Sequence, residues 1–172
     1  MDSRLPKLLY LVMAVFAAIY FSSLQAKLPE MVATHFSADG TPGNWQPKSG
    51  FLGTFVLVTV MPAVLVFGVS AIIKALPAQL VNLPNKEYWL SGERAAETRE
   101  FLAAWFGWFG CAVYFVILFA MNYAAQSNLH PGERPSAETM MWVVYGFAAF
   151  TVLWVLRIPL HFARKPDATG RV

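Results

Sequence analysis

His35 and His130 are the side chains here with the widest chemistry, and each stands in a polar stretch between long apolar runs. Glu30, Asp39, Glu133 and Glu138 lie in the same two stretches. Imidazole nitrogens and carboxylate oxygens are ligand types that zinc accepts. A zinc ion on His35, His130 and Asp39 could activate water or tie two loops together. His35 and Asp39 are four residues apart, the spacing of one helix face, but Ser37, Ala38 and Gly40 read as turn. The spacing therefore leaves their adjacency open. The plainer reading makes His35 a loop histidine that hydrogen-bonds within its own cap, and His130 a solvated turn residue. No cofactor is expected, with zinc the alternative. Cys111 is the single cysteine, so no disulfide can form within the chain. CxxC, GxGxxG, Walker, HExxH and GxSxG motifs are all absent from the sequence.

His35 belongs to the stretch from Leu28 to Lys48, LPEMVATHFSADGTPGNWQPK. Asp39-Gly40 and Pro42-Gly43 are turn pairs, and the two glycines can take φ > 0 where a side chain would clash. The expectation is a compact loop or short hairpin, its turns set by Gly40, Pro42 and Gly43. Phe36 and Trp45 offer an apolar binding surface, or else anchor the loop among lipid headgroups. His35, Phe36, Asp39 and Trp45 form the candidate binding set.

What surrounds this stretch sets the fold class. Apolar residues make up 57% of the 172 and charged residues 13%, about half the usual charged share of a soluble domain. Leu8 to Ala26, Ser49 to Ile73, Phe101 to Gly132 and Thr139 to Leu156 contain no Asp, Glu, Lys or Arg. A helix needs about 20 apolar residues to cross the hydrocarbon core. An all-α, polytopic membrane protein is expected, with four spans at about 8–25, 51–74, 101–125 and 139–160. Loops at 26–50 and 126–138 then share one side, and an insert at 75–100 takes the other. A basic head before an apolar run also describes a secretory signal. Leu24 stands where cleavage after Ala26 would want a small residue, so this segment is read as the first span. Ala14, Ala18 and Ser22, and again Ala103, Gly107 and Cys111, recur every four residues as small stripes that should face other helices. Pro62 should kink the second span.

Lys and Arg are distributed unevenly across these spans. Ten lie in the head, the insert and the tail region, against Lys27, Lys48 and Arg134 in the two loops. The positive-inside rule places both termini and the insert in the cytoplasm of a bacterial inner membrane, with the His35 and His130 loops outside. The net charge of +3 is spread beside membrane segments, so no nucleic-acid patch forms. No charged residue lies mid-span, which removes the candidate for an ion or proton path.

The insert contains LPNKEYWL followed by Ser91, Glu93 and Arg94. Ser91 reads as an N-cap, with one long helix running from ERAAETRE into the third span. Arg94 and Glu97, three apart, can pair on its surface. Pro84, Asn85, Tyr88, Trp89, Glu93 and Arg94 are candidates for coupling to a cytoplasmic partner.

Two patterns here resemble the domain of unknown function 1648 family. One is LP, four residues, THF, three residues, then GxPGxWxxK over Leu28–Lys48; the other is LPNKEYWLxxER over Leu83–Arg94. Ala33, Ser37 and Gly92 depart from residues common in that pattern. The resemblance implies a multi-span bacterial membrane protein. The family includes immunity proteins for a sporulation-delaying toxin that also recruit a repressor to the membrane. Three functional expectations follow. The first is a non-enzymatic, immunity- or signalling-like protein that senses or binds at the outer loop and couples to a cytoplasmic partner. The second is an accessory subunit of a larger membrane complex, and the third a metal-dependent hydrolase. Partners expected are the bilayer and a membrane or cytoplasmic protein.

Overall fold

A stretch without water to solvate its backbone must satisfy every N–H and C=O internally, and in lipid a helix does so. The computed structural model describes residues 1–37, 41–131 and 137–163, and four helices in it are long and apolar enough to cross a membrane. Helix α1 is Arg4–Gln25. A hairpin of β1 (Met31–Phe36) and β2 (Pro42–Pro47) follows. The second span is Lys48–Ala75, built from α2 (Lys48–Ala63), a π-helical segment Val64–Val69 and α3 (Ser70–Ala75). A 3-10 turn at Ala78–Leu80 and the single turn α4 (Lys86–Trp89) form the insert. Helix α5 (Arg94–Leu129) is the third span and α6 (Ala137–Ala163) the fourth. The chain is thus an all-α, multi-pass membrane protein with one hairpin between its first two spans.

Helix α5 is the axis of the bundle. In its most apolar stretch 44% of residues are buried, whereas none are in α6. Its stripe Ala103, Gly107 and Cys111 faces other helices as expected. A Cβ on Gly107 would lie 2.8 Å from the Pro6 ring, and Cys111 Sγ donates to the Pro6 carbonyl at 3.1 Å. A Cβ on Gly110 would lie 2.6 Å from Val66, so the backbones meet here because no side chain intervenes.

The stripe on α1 is a correction. Ala14 packs against the bundle, but Ala18 and Ser22 are exposed, and the buried face is Tyr10, Ala17, Phe21 and Leu24. Tyr10 joins Val66, Cys111 and Tyr114 in one buried cluster, while Phe21 and Leu24 join Val32, Phe51 and Phe55 in another nearer the hairpin. Large side chains therefore hold most of α1, and its close approach to α5 is at Pro6, beside Gly107 and Cys111.

Pro62 lies inside α2, and the helix widens to the π form immediately after it. A proline lacks the N–H that an earlier carbonyl needs. Tyr10 donates its hydroxyl to the Thr59 carbonyl in this region. Thr59 Oγ1 donates to Phe55 O at 2.8 Å and lies 3.2 Å from the Tyr114 hydroxyl. Side chains from α1 and α5 thus supply hydrogen bonds where the ladder of α2 is disturbed.

Helix α6 touches the bundle chiefly through aromatic rings of α5. Trp154 stacks on Trp105 at 3.9 Å, and Phe147 and Phe150 lie beside Phe109 at 6.1 and 6.4 Å. Arg157 sits over the Trp105 ring at 5.5 Å.

Candidate functional site

Two clusters of polar and aromatic side chains occupy opposite ends of α5. At one end is the hairpin. Its strands are antiparallel, with Met31 opposite Pro47, Ala33 opposite Trp45, His35 opposite Gly43 and Phe36 opposite Pro42. Alternation splits the side chains between two faces. Val32 is fully buried in the cluster around Phe51, and Phe36 packs edge-on against Tyr123 of α5 at 5.9 Å. Met31, His35 and Trp45 belong to the other face and are exposed. Asn128 of α5 fixes the hairpin in place. Its Oδ1 accepts from the Ala33 N–H at 2.8 Å and its Nδ2 donates to the Ala33 carbonyl at 2.8 Å. One amide side chain thereby meets both backbone groups of Ala33, as a neighbouring strand would. Lys48 and Glu30 pair across the base at 2.7 Å.

At the other end, the insert grips the end of α6. Asn85 adopts a left-handed backbone (φ 53°) and its Nδ2 reaches the carbonyls of Phe162 at 3.1 Å and Ala163 at 3.0 Å. Trp89 Nε1 donates to the same Phe162 carbonyl at 2.9 Å. The final carbonyls of a helix have no partner within it, and these donors supply one. His161 lies between rings, with Phe101 stacked at 4.8 Å and Trp89 at 5.8 Å. Thr98 of α5 donates to the Trp89 carbonyl at 2.9 Å, which ties the insert to α5 as well. Arg94 folds back, its guanidinium 4.3 Å from the Tyr88 ring centre and its Nε donating to the Tyr88 carbonyl at 3.1 Å. Tyr88, Trp89, Arg94, Glu97, Phe101 and His161 border a cavity of about 310 Å³. Beside it, Lys74 and Glu100 form an ion pair, and Ser3 bonds to both, so the start of α1 is on the insert side too. Arg99 donates to the carbonyls of Ile73, Lys74 and Leu76, closing the end of α3.

Residues 8–66 match the model for a domain of unknown function, DUF1648. No curated protein and no solved structure matches the chain. The DUF1648 match covers most of α1, the hairpin, α2 and the start of the π segment. The insert, α5 and α6 lie outside it.

Within the DUF1648 segment the candidate binding residues separate. Phe36 faces the bundle and docks the hairpin, while His35 and Trp45 face away. Asp39 and Gly40 lie outside the described residues. His35 is exposed and makes no side-chain hydrogen bond among the described residues, contrary to expectation. Gly43 is a strand residue without positive φ; Asn44 instead takes the left-handed backbone at φ 48°, which Asn tolerates better than most residues. Pro42 opens β2 opposite Phe36. His130 follows the last turn of α5 and is exposed. Among the described residues no three His, Cys, Asp or Glu side chains converge on a point where a metal could sit.

Outside the DUF1648 segment, Asn85, Tyr88, Trp89 and Arg94 are brought together, whereas Pro84 and Glu93 are exposed at the edge of the group. Ser91 is not the cap of α5. Its hydroxyl bonds back to the Tyr88 carbonyl at 3.1 Å, and the helix starts at Arg94 after Gly92 at φ +54°. The Arg94–Glu97 pair does not form, because the Tyr88 ring and carbonyl hold the guanidinium. Asn128 was not singled out by the sequence. The visible signal was only an amide beyond the apolar run, four residues after Ala124, whose carbonyl its Nδ2 also reaches at 2.7 Å.

Proposed function

We propose that the protein is a non-enzymatic membrane sensor: the hairpin binds at the outer face, and α5 transmits its state to the insert, where a cytoplasmic protein reads it. The observation that carries this reading is that one uninterrupted helix holds both ends. Asn128 grips the hairpin and Thr98 grips the insert. An exposed apolar and imidazole surface, Met31, His35 and Trp45, is left free on the hairpin for contact. The start of α1, the insert and the end of α6 share one side through Ser3, Lys74 and Glu100 and through Asn85 and Trp89. The Lys and Arg distribution supports placing that side in the cytoplasm of a bacterial inner membrane. An immunity- or receptor-like role fits the same layout.

The test perturbs one end and reads the other. In lipid nanodiscs, Asn128→Ala should speed amide exchange in the hairpin and also in residues 77–93. Insert exchange unchanged from wild type would sink the transmission reading. Capture in mild detergent completes it: a cytoplasmic protein recovered with wild type and lost with Tyr88→Ala/Trp89→Ala supports the coupling role.

A second reading, an accessory subunit of a larger complex, is favoured by α6 alone. None of the most apolar stretch of α6 is buried, and Trp142, Tyr145 and Leu153 are exposed along it. A membrane-embedded partner whose recovery survives loss of Tyr88 and Trp89 would favour this role.

A further inference from the structure

The insert is made of two unlike halves. Residues 75–85 contain no Asp, Glu, Lys or Arg, whereas residues 86–100 are rich in them. In the uncharged half Leu80, on the 3-10 turn, is 69% exposed. One exposed leucine is ordinary on a water-facing surface. Its depth gives it a meaning here.

Both ends of this half are fastened to neighbouring residues of α5. Arg99 donates to the Leu76 carbonyl, and Thr98 donates to the Trp89 carbonyl at 2.9 Å. Trp89 and Phe101 also lie on either side of the His161 ring. Phe101 opens the charge-free run of α5 two residues beyond Arg99, about 3 Å at a helical rise of 1.5 Å per residue. The headgroup region adds about 5–8 Å on each side of the hydrocarbon core. Leu76 and Trp89 are therefore held at headgroup depth. The first span agrees: Ser3 bonds to Glu100, so α1 starts at this level, and Arg4 and Lys7 follow within one turn, where long cationic side chains reach back to phosphates.

Between the two fastenings the chain stays close to α4. Ala78 and Gln79 border one small cavity with Lys86, Glu87 and Leu90. The Asn82 and Leu83 N–H groups make no hydrogen bond among the described residues. The hydrocarbon core would leave them unsatisfied, so the segment lies outside it. What remains is the hydrated layer next to the core, which accepts from a bare N–H and also takes an apolar side chain.

We propose that residues 76–84 lie in the headgroup layer of the leaflet on the insert side, with Leu80 reaching the top of the acyl chains. Lipid then holds this half of the insert, while Tyr88, Trp89 and Arg94 in the charged half stay open to a protein. The proposal does not depend on the sensing reading.

The test places a nitroxide on Leu80→Cys in the full chain, in nanodiscs of phosphatidylethanolamine and phosphatidylglycerol. Cys111 is buried and stays unlabelled. The same label on Glu93→Cys, exposed in the charged half, is the reference. Power saturation reads collisions with oxygen, which partitions into lipid, and with a water-soluble nickel chelate. The label at Leu80 should favour oxygen over nickel severalfold more than the label at Glu93. A label at Leu80 as open to nickel as the reference would overturn the proposal. So would one shielded from both reagents, the mark of cover by protein. The unsubstituted chain gives a second measurement: a phospholipid with a nitroxide near the top of one acyl chain should broaden the Leu80 methyl resonances, and sharp Leu80 methyls beside that lipid would count equally against it.

Discussion

Asn128 shows how much one side chain can decide. Its amide satisfies the Ala33 N–H and C=O together, and Ala33 is almost wholly buried. Replacing it by alanine leaves two buried backbone groups without partners, a cost of about 1–3 kcal/mol for each such group. Asn128→Ala should therefore raise the exchange rate of the Ala33 amide well above that of neighbouring hairpin amides, measured by hydrogen–deuterium exchange. Asn128→Asp should restore protection of the Ala33 amide only in part, because a carboxylate still accepts from the Ala33 N–H but cannot donate to the Ala33 carbonyl. Other side chains, by contrast, have roles their types already implied. Asn122 bonds to Tyr20 across two helices, as a lone amide in an apolar span should. His35 shows the limit of that reasoning: its type suggested a bond within the cap, but its side chain is exposed and makes none among the described residues.

At the scale of elements, contact between α5 and the second span depends on the absence of side chains. A Cβ at Gly110 would lie 2.6 Å from Val66 Cγ2 and 3.3 Å from the Val66 backbone nitrogen. The methyl meets first the Val66 side chain, which is fully buried and β-branched and so has little room to rotate aside. Gly110→Ala should destabilise the protein by about 1–3 kcal/mol, seen as a lower midpoint of thermal unfolding in detergent. Gly146→Ala on α6, where nothing lies within 4 Å, should leave that midpoint unchanged. Helix α6 is held differently, by ring stacking and by Asn85 and Trp89 at its last turn. Asn85→Ala/Trp89→Ala should release that turn. The expected result is faster proteolysis after Arg157.

For the whole molecule, the layout gives two sides: the hairpin and the end of α5 on one, and the start of α1, the insert and the end of α6 on the other. In spheroplasts, an impermeant maleimide should label Trp45→Cys directly and Gln79→Cys only after permeabilisation; Cys111, buried beside Pro6, should stay unlabelled. Reversed labelling would invert the orientation and exchange the roles of the two ends. The four spans, their order and the hairpin between the first two were legible without coordinates. Whether a run is long and apolar enough to cross a bilayer is a local property, and so is the polar, glycine- and proline-bearing make-up of the stretch between the first two runs. Which face each helix buries was not legible. In lipid every face of a span is apolar, so hydrophobic periodicity stops marking the interior, and the small stripe on α1 pointed the wrong way. The sites depend on pairs far apart in the chain, such as Asn128 with Ala33, 95 residues away, and Trp89 with Phe162, 73 away. Only the packed bundle brings such donors and carbonyls together, because a hydrogen bond has a range of about 3 Å and no signature along the sequence.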